Sequence, residues 1–225
     1  MITLIMLSWK RVDNLIKAIE TEFDGELISE VIVWNNNKDV DLRGKLPKNV
    51  RLIQSNEDFG MRTRFGAALF AKNDCILLHD DDMVLPKLTI QNLYDEWELD
   101  NEIMYGLNGR IPKADNTYGK SVKEGKTHIV IGRTMLLKRT YCVDFFQIER
   151  DLEAQPNHSA PQGHEDILMS YFVMSKSGRL NEILYSRYED LPAPHAICDR
   201  DNHYEQRTEF MQDCQKYFEI DKVIK

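Results

Sequence analysis

No stretch of this chain approaches the roughly 20 consecutive apolar residues that a membrane-spanning helix needs. The apolar opening Met1–Leu7 has no basic leader and no small-residue cleavage site, so a first strand is expected there rather than an export signal or an anchor, and with it a cytoplasmic location. Cysteine is scarce: Cys75, Cys142, Cys198 and Cys214 are widely scattered with no Cys-x-x-Cys pair, which reads as reduced core or surface thiols. Excess positive charge is also lacking. A net charge of −8 and a pI near 5.3 exclude a nucleic-acid coat or an anionic membrane as the main partner, although local arginines can still hold a small anion. Repeats, low-complexity tracts and a convincing linker are absent, so the 225 residues, 42% of them hydrophobic, are read as one domain with a well-filled core.

What is present is an alternation of apolar strands and helical periodicities. After the first strand, Val12, Leu15, Ile16, Ile19 and Phe23 recur at helical spacing, and Ile28–Trp34 follows as a second strand. A third strand, Val50–Ile53, precedes a helix over Met61–Lys72, and Cys75–His79 is the next strand. This βαβ order predicts an α/β fold, a mostly parallel sheet covered by helices on both faces. Further on, Lys87–Leu99 reads as a helix, Ile103–Leu107 and His128–Leu137 as strands, and Arg110–Lys126 as a long loop whose length suggests a flap. Gly163-His164-Glu165-Asp166 opens a helix over Ile167–Met174, and a last helix runs from about Asn202 to Phe218.

Asp80, Asp81 and Asp82 close the Cys75–His79 strand. In such sheets ligands bind beyond the carboxyl ends of the strands, where Trp9, Asn35, Asn36 and the three aspartates all fall. Adjacent carboxylates repel one another unless a cation or a ligand's donors sit among them. Oxygen-only ligands favour Mg²⁺ or Mn²⁺, which commonly bridge a nucleotide's phosphates to one or two carboxylates, while an acidic turn capping the next element is the plainer alternative.

Seven segments in order, Leu7-Ser8-Trp9-Lys10-Arg11, Val33-Trp34-Asn35-Asn36, Met61–Phe65, Asp80–Asp82, Tyr105–Arg110, Gly163–Ile167 and His203–Arg207, resemble the exostosin-type glycosyltransferases and their GT-A relatives. The resemblance covers most of the chain. It implies a single GT-A domain over 1–225, with a nucleotide-binding half at 1–100 and an acceptor-binding half at 101–225. The implied reaction moves a sugar from a nucleoside-diphosphate sugar, a UDP-hexose or UDP-N-acetylhexosamine, to a glycan or glycoconjugate hydroxyl with retention; an inverting enzyme would instead use Asp166 or Glu165 as a general base on the acceptor. Asp82 would bind Mn²⁺ or Mg²⁺ directly, with Asp80 at the metal's water shell or the ribose and Asp81 on the ribose or donor sugar. The membrane anchor and stem of Golgi exostosins have no counterpart in this sequence.

The resemblance also gives roles to single residues, each with a structural alternative. Trp9 would stack on the nucleobase, or be a core tryptophan at a strand end. Arg11 would meet the pyrophosphate or base. Asn36 would bond a pyrimidine edge or ribose, although Asn-Asn-Asn-Lys-Asp is also ordinary turn chemistry. Arg64 would sit at the donor site, or on a helix surface. Asp166 would face the donor sugar and the acceptor hydroxyl from a helix start that keeps it ionised, with Glu165 as the less favoured neighbour, or would simply cap the helix. Arg207 would reach the departing diphosphate, sharing a helix face with His203, and His195 is a rival imidazole near the metal. A sugar-1-phosphate nucleotidyltransferase would need a Gly-rich loop after the first strand, and Ser8-Trp9-Lys10-Arg11 is not one. A sugar-nucleotide or glycan-binding module without turnover is the non-enzyme alternative.

Overall fold

A computed structural model of the chain describes residues 1–154, 163–194 and 202–223. The first half alternates as its periodicity requires: β1 (Ile2–Ser8), α1 (Val12–Glu22), β2 (Ile28–Asn35), β3 (Val50–Gln54), α2 (Thr63–Ala68) and β4 (Cys75–His79). Then come β5 (Met83–Val84), α3 (Lys87–Leu99), β6 (Tyr105–Gly106), β7 (Gly109–Ile111), β8 (Lys120–Val122), β9 (Gly125–Thr127), β10 (Ile129–Val130) and β11 (Thr134–Lys138). The chain continues through α4 (Arg139–Glu153), α5 (Glu165–Ser177), β12 (Asn181–Ile183), β13 (Glu189–Asp190), α6 (His203–Tyr217) and α7 (Ile220–Val223).

The central sheet runs β3-β2-β1-β4-β11-β6-β12-β9. Pairing is parallel from β3 to β4 and again between β6 and β12, and antiparallel where β11 lies between β4 and β6 and where β9 closes on β12. Side chains that alternate along a strand divide between two cores. Ile2, Leu4 and Met6 of β1 face α1 and α3, whereas Ile5 joins Ile32, Ile76 and Leu78 under α2, α4, α5 and α6. The strand order turns back at β1, where the chain, having gone outward to β3, returns to place β4 on the other side. Such a reversal opens a crevice at the strands' carboxyl ends. Ser8 of β1 lies opposite Asn35 of β2, and Met6 opposite His79 of β4, so the residues that follow these three strands share one edge.

Several sequence boundaries shift. The expected helix 61–72 contracts to Thr63–Ala68. The expected strand 128–137 divides: β10 pairs with β7 in a three-stranded sheet, β11 belongs to the main sheet, and the turn Ile131-Gly132-Arg133 lies between them. The expected loop 110–126 holds β8 and parts of β7 and β9. Helix α4 was not anticipated, because it follows β11 without a Gly, Pro or Asn to mark the join.

Candidate active site

All five residues of β4 are buried, and the acidic turn begins where the strand ends. Each aspartate meets a guanidinium. Arg64 Nη2 donates to Asp80 Oδ1 at 2.8 Å, Arg11 Nη2 lies 2.5 Å from Asp81 Oδ1, and Arg133 Nε donates to Asp82 Oδ1 at 3.0 Å. The self-repulsion expected of the triplet is therefore relieved by arginines brought in from three other parts of the chain. Among the described residues no three His, Cys, Asp or Glu side chains converge on a point that would hold a metal. Burial pushes the Asp81 carboxyl up to about 6 against the pull of Arg11, and burial raises Asp80 despite Arg64.

A second carboxylate fastens the turn from below. Glu22 Oε1 of α1 accepts the Leu85 N–H at 2.7 Å and lies 3.3 Å from His79 Nε2. One side chain thus bonds a residue after the triplet and lies against the residue before it, whose Nε2 makes no hydrogen bond. Burial lifts Glu22 to about 8, and burial lowers His79 to about 3, so both are neutral near pH 7.

The other acidic pair sits at the start of α5. Asp166 accepts two bonds from Arg207 Nη2, at 2.8 and 3.0 Å, while Arg207 Nη1 donates to Gly163 O and its guanidinium carbon lies 4.7 Å from the Tyr118 ring centre. Burial works to raise Asp166, but Arg207, with the Gly132 N–H behind it, holds it below the usual carboxylate range. Gly132 joins the two halves of the site: its N–H donates to Asp166 Oδ2 at 3.1 Å and its carbonyl accepts from Arg64 Nη1 at 2.5 Å. A Cβ at Gly132 would stand 3.1 Å from Arg64 Nη1 and 3.5 Å from Asp166 Cβ, so any larger residue would press on the Arg64 guanidinium. Glu165 differs from its neighbour. Its Oε2 is buried without a hydrogen-bond partner, and burial raises its carboxyl to about 7 against the influence of Arg64.

A cavity of about 210 Å³ opens beside this pair, lined among others by Phe59, Arg62, Glu149, His164, Glu165 and Phe210. His164 Nδ1 is also buried without a partner, and burial lowers the imidazole to about 4. Among the buried atoms that make no hydrogen bond, four are guanidinium nitrogens: Arg11 Nη1, Arg64 Nε, Arg139 Nε and Arg207 Nε. Three of the four belong to the site.

Of the residues singled out from sequence, Arg11, Arg64, Asp80, Asp81 and Asp82 converge, and Asp166 and Arg207 join them through Gly132 and Arg64. Trp9 is 42% exposed past the end of β1, with Lys10 Nζ 4.1 Å from its ring centre, so it is not a core tryptophan. Asn36 is buried and turned inward: its amide donates to Gly60 O and Thr63 Oγ1, bracing the 59–63 segment that leads to Arg64. His203 starts α6 with its ring 6.3 Å from that of His164. His195 and Cys198 lie outside the described residues, and the other three cysteines are free and buried. Arg133, Gly132 and Glu22 were not singled out. Only Gly132 carried a signal, as an isolated glycine inside an apolar strand pattern.

The family model described as Glycosyl transferase family 64 domain matches residues 2–224. No curated protein sequence matches the chain. Among solved structures, a crystal structure of GalNAc-T7 with UDP, GalNAc and Mn²⁺ shares the fold with a TM-score of 0.68 at 10% identity, over 98% of this chain and 49% of that one. This chain thus spans about half the length of that neighbour. No helix among the described residues is long and apolar enough to cross a membrane.

Proposed function

Since the chain belongs to glycosyl transferase family 64 and is a GT-A glycosyltransferase, we propose that it moves a sugar from a UDP-hexose or UDP-N-acetylhexosamine to a glycan hydroxyl, with retention and with a divalent cation. The observation that carries this reading is the set of buried guanidinium N–H groups on Arg11, Arg64 and Arg207 that make no hydrogen bond, the first two standing 3.7 Å from Asp82 Oδ2 and Glu165 Oε1, beside a carboxylate cluster at the topological switch point. A buried donor without an acceptor is costly, and the oxygens of a bound diphosphate would supply acceptors.

The donor set suits Mn²⁺ or Mg²⁺. Asp80 and Asp82 keep 20% and 15% of their side chains exposed against 9% for Asp81, and one or two carboxylates beside a donor's phosphates are what such ions take. When bound, the ion neutralises charge that builds on the leaving diphosphate. The protein's own part begins with Arg64 and Arg11, which bind the diphosphate. Exposed Trp9 offers a face to the base, and Asn36 serves by holding the loop that carries Arg64. Asp166, kept ionised by Arg207, meets the transferring sugar and the incoming hydroxyl, and the leaving phosphate takes the hydroxyl proton in a front-face displacement. Arg207 keeps only Nε for the ligand. GalNAc-T7, solved with UDP, GalNAc and Mn²⁺, supports the donor and metal assignment through a shared fold. The exostosin-type resemblance supports retention and the division into halves 1–100 and 101–225.

Thermal shift with nucleoside diphosphates, with and without Mn²⁺, tests the proposal, because stabilisation grows as RT ln(1 + [L]/Kd). UDP is expected to raise Tm only with Mn²⁺, and Asp82→Ala is expected to lose that response. A metal-independent response, or none to any nucleotide, would sink the reading.

A further inference from the structure

Arg133 is the least explained charge in the site. It leaves the turn between β10 and β11, and its guanidinium holds three groups together. Nε donates to Asp82 Oδ1 at 3.0 Å, while Nη2 donates to the Asp82 carbonyl at 3.3 Å and to Asp190 Oδ1 at 2.6 Å. Its guanidinium carbon stands 5.4 Å from the Tyr188 ring centre. Arg133 therefore takes a carboxylate oxygen of the residue assigned to the metal. The same carboxylate is faced on its other oxygen by Arg11 Nη1 at 3.7 Å.

The partners on the far side give the arginine somewhere to go. Asp190 belongs to β13, which pairs with β5 directly after the triplet, Asp190 opposite Met83, and the Leu191 N–H donates to the Asp82 carbonyl at 2.8 Å. This strand is held in turn by α1, through Lys17 with Glu189 and the Asn14 amide with Pro192 O. Arg133 can release the Asp82 carboxylate and still keep Asp190 and the Tyr188 face, with only a change in its own side chain. Asp190 is 69% exposed and can take the guanidinium without new burial.

We propose that Arg133 is a built-in stand-in for the divalent cation, which holds the Asp82 carboxylate in the free protein and releases it, keeping Asp190, when the metal arrives with the donor. The inference rests on the assignment of Asp82 to the metal. It makes metal and donor bind together. An ion alone must displace a guanidinium from Asp82, whereas an ion carried with a diphosphate gains phosphate contacts that offset the displacement.

Mn²⁺ binding, followed by the EPR signal of free Mn²⁺ with and without UDP, tests this without any turnover. Arg133→Gln is expected to tighten binding of Mn²⁺ alone by about tenfold, the effect of removing one close charge pair, and to shrink the added benefit of UDP. Asp190→Asn removes the alternative partner and is expected to weaken Mn²⁺ binding severalfold. In an Arg133→Gln background the same change should do nothing, as coupled residues require. Asp190 is exposed, so its variant keeps the test available if Arg133→Gln fails to fold. Equal Mn²⁺ affinity in wild type, Arg133→Gln and Asp190→Asn would overturn the stand-in while leaving the metal site in place. No Mn²⁺ binding by any variant, even with UDP, would overturn the metal assignment and the stand-in together.

Discussion

Asp166 and Arg207 form a buried charge pair whose halves were visible in the sequence as separate candidates, and their pairing changes what a substitution there does. Removing one partner from a buried pair leaves the other charge uncompensated, at about 3–5 kcal/mol. Asp166→Asn is therefore expected to lose transfer and also to melt well below wild type, while still giving a Tm rise with UDP and Mn²⁺. Adding Arg207→Leu should recover part of the lost stability and none of the transfer, which differential scanning calorimetry and a transfer assay would separate. If Asp166→Asn turns over at the wild-type rate, Asp166 is not at the reaction centre. Glu165, one residue earlier, faces the cavity with an unpartnered oxygen. Sequence spacing gave no reason for such unlike neighbours. The difference comes from Arg207 arriving on one side only, a contact across 41 positions of chain.

The 109–127 region shows an element whose importance was hidden by its composition. Its strands are three residues long and rich in Lys, Ser and Gly, so they carry no hydrophobic alternation to read. Cross-strand pairing forms them, and α6 holds the tip: Tyr118 N–H donates to Thr208 Oγ1, and the Gln212 side-chain amide donates to Asn116 O. The segment whose length suggests a flap thus sets the Tyr118 ring against the Arg207 guanidinium. A desolvated cation–π contact is worth about 2 kcal/mol, so Tyr118→Leu is expected to lower Tm by on the order of 5 °C and to reduce kcat/KM. An unchanged melting curve would show that the ring contributes nothing to holding Arg207.

Across the whole molecule, the pH dependence of folding should carry the mark of Glu22. Its folded-state carboxyl is raised to about 8 from an ordinary value of 4.5 by burial, so between those two values the folded state keeps a proton that the unfolded chain has lost. The contribution is fully present below pH 4.5 and is lost as pH rises through about 8. Glu22→Gln keeps an acceptor for the Leu85 N–H and cannot ionise. Its Tm is expected to track wild type at pH 4 and to exceed it increasingly towards pH 8, and parallel curves over that range would refute the assignment.

Strand and helix periodicity, the acidic triplet after β4 and the seven ordered segments are all legible in the sequence alone, because each depends on neighbours within a few residues. The α/β architecture and the edge on which the site lies follow from them. The arginine that answers each aspartate, the Gly132 link between Arg64 and Asp166, and the bond from Leu85 to Glu22 behind the acidic turn depend on residues from about 16 to 70 positions apart in the chain. No local pattern records such pairs. They exist because the sheet's crossovers bring β1, β4 and the β10–β11 turn to one end, where the exclusion of water makes charge pairing obligatory.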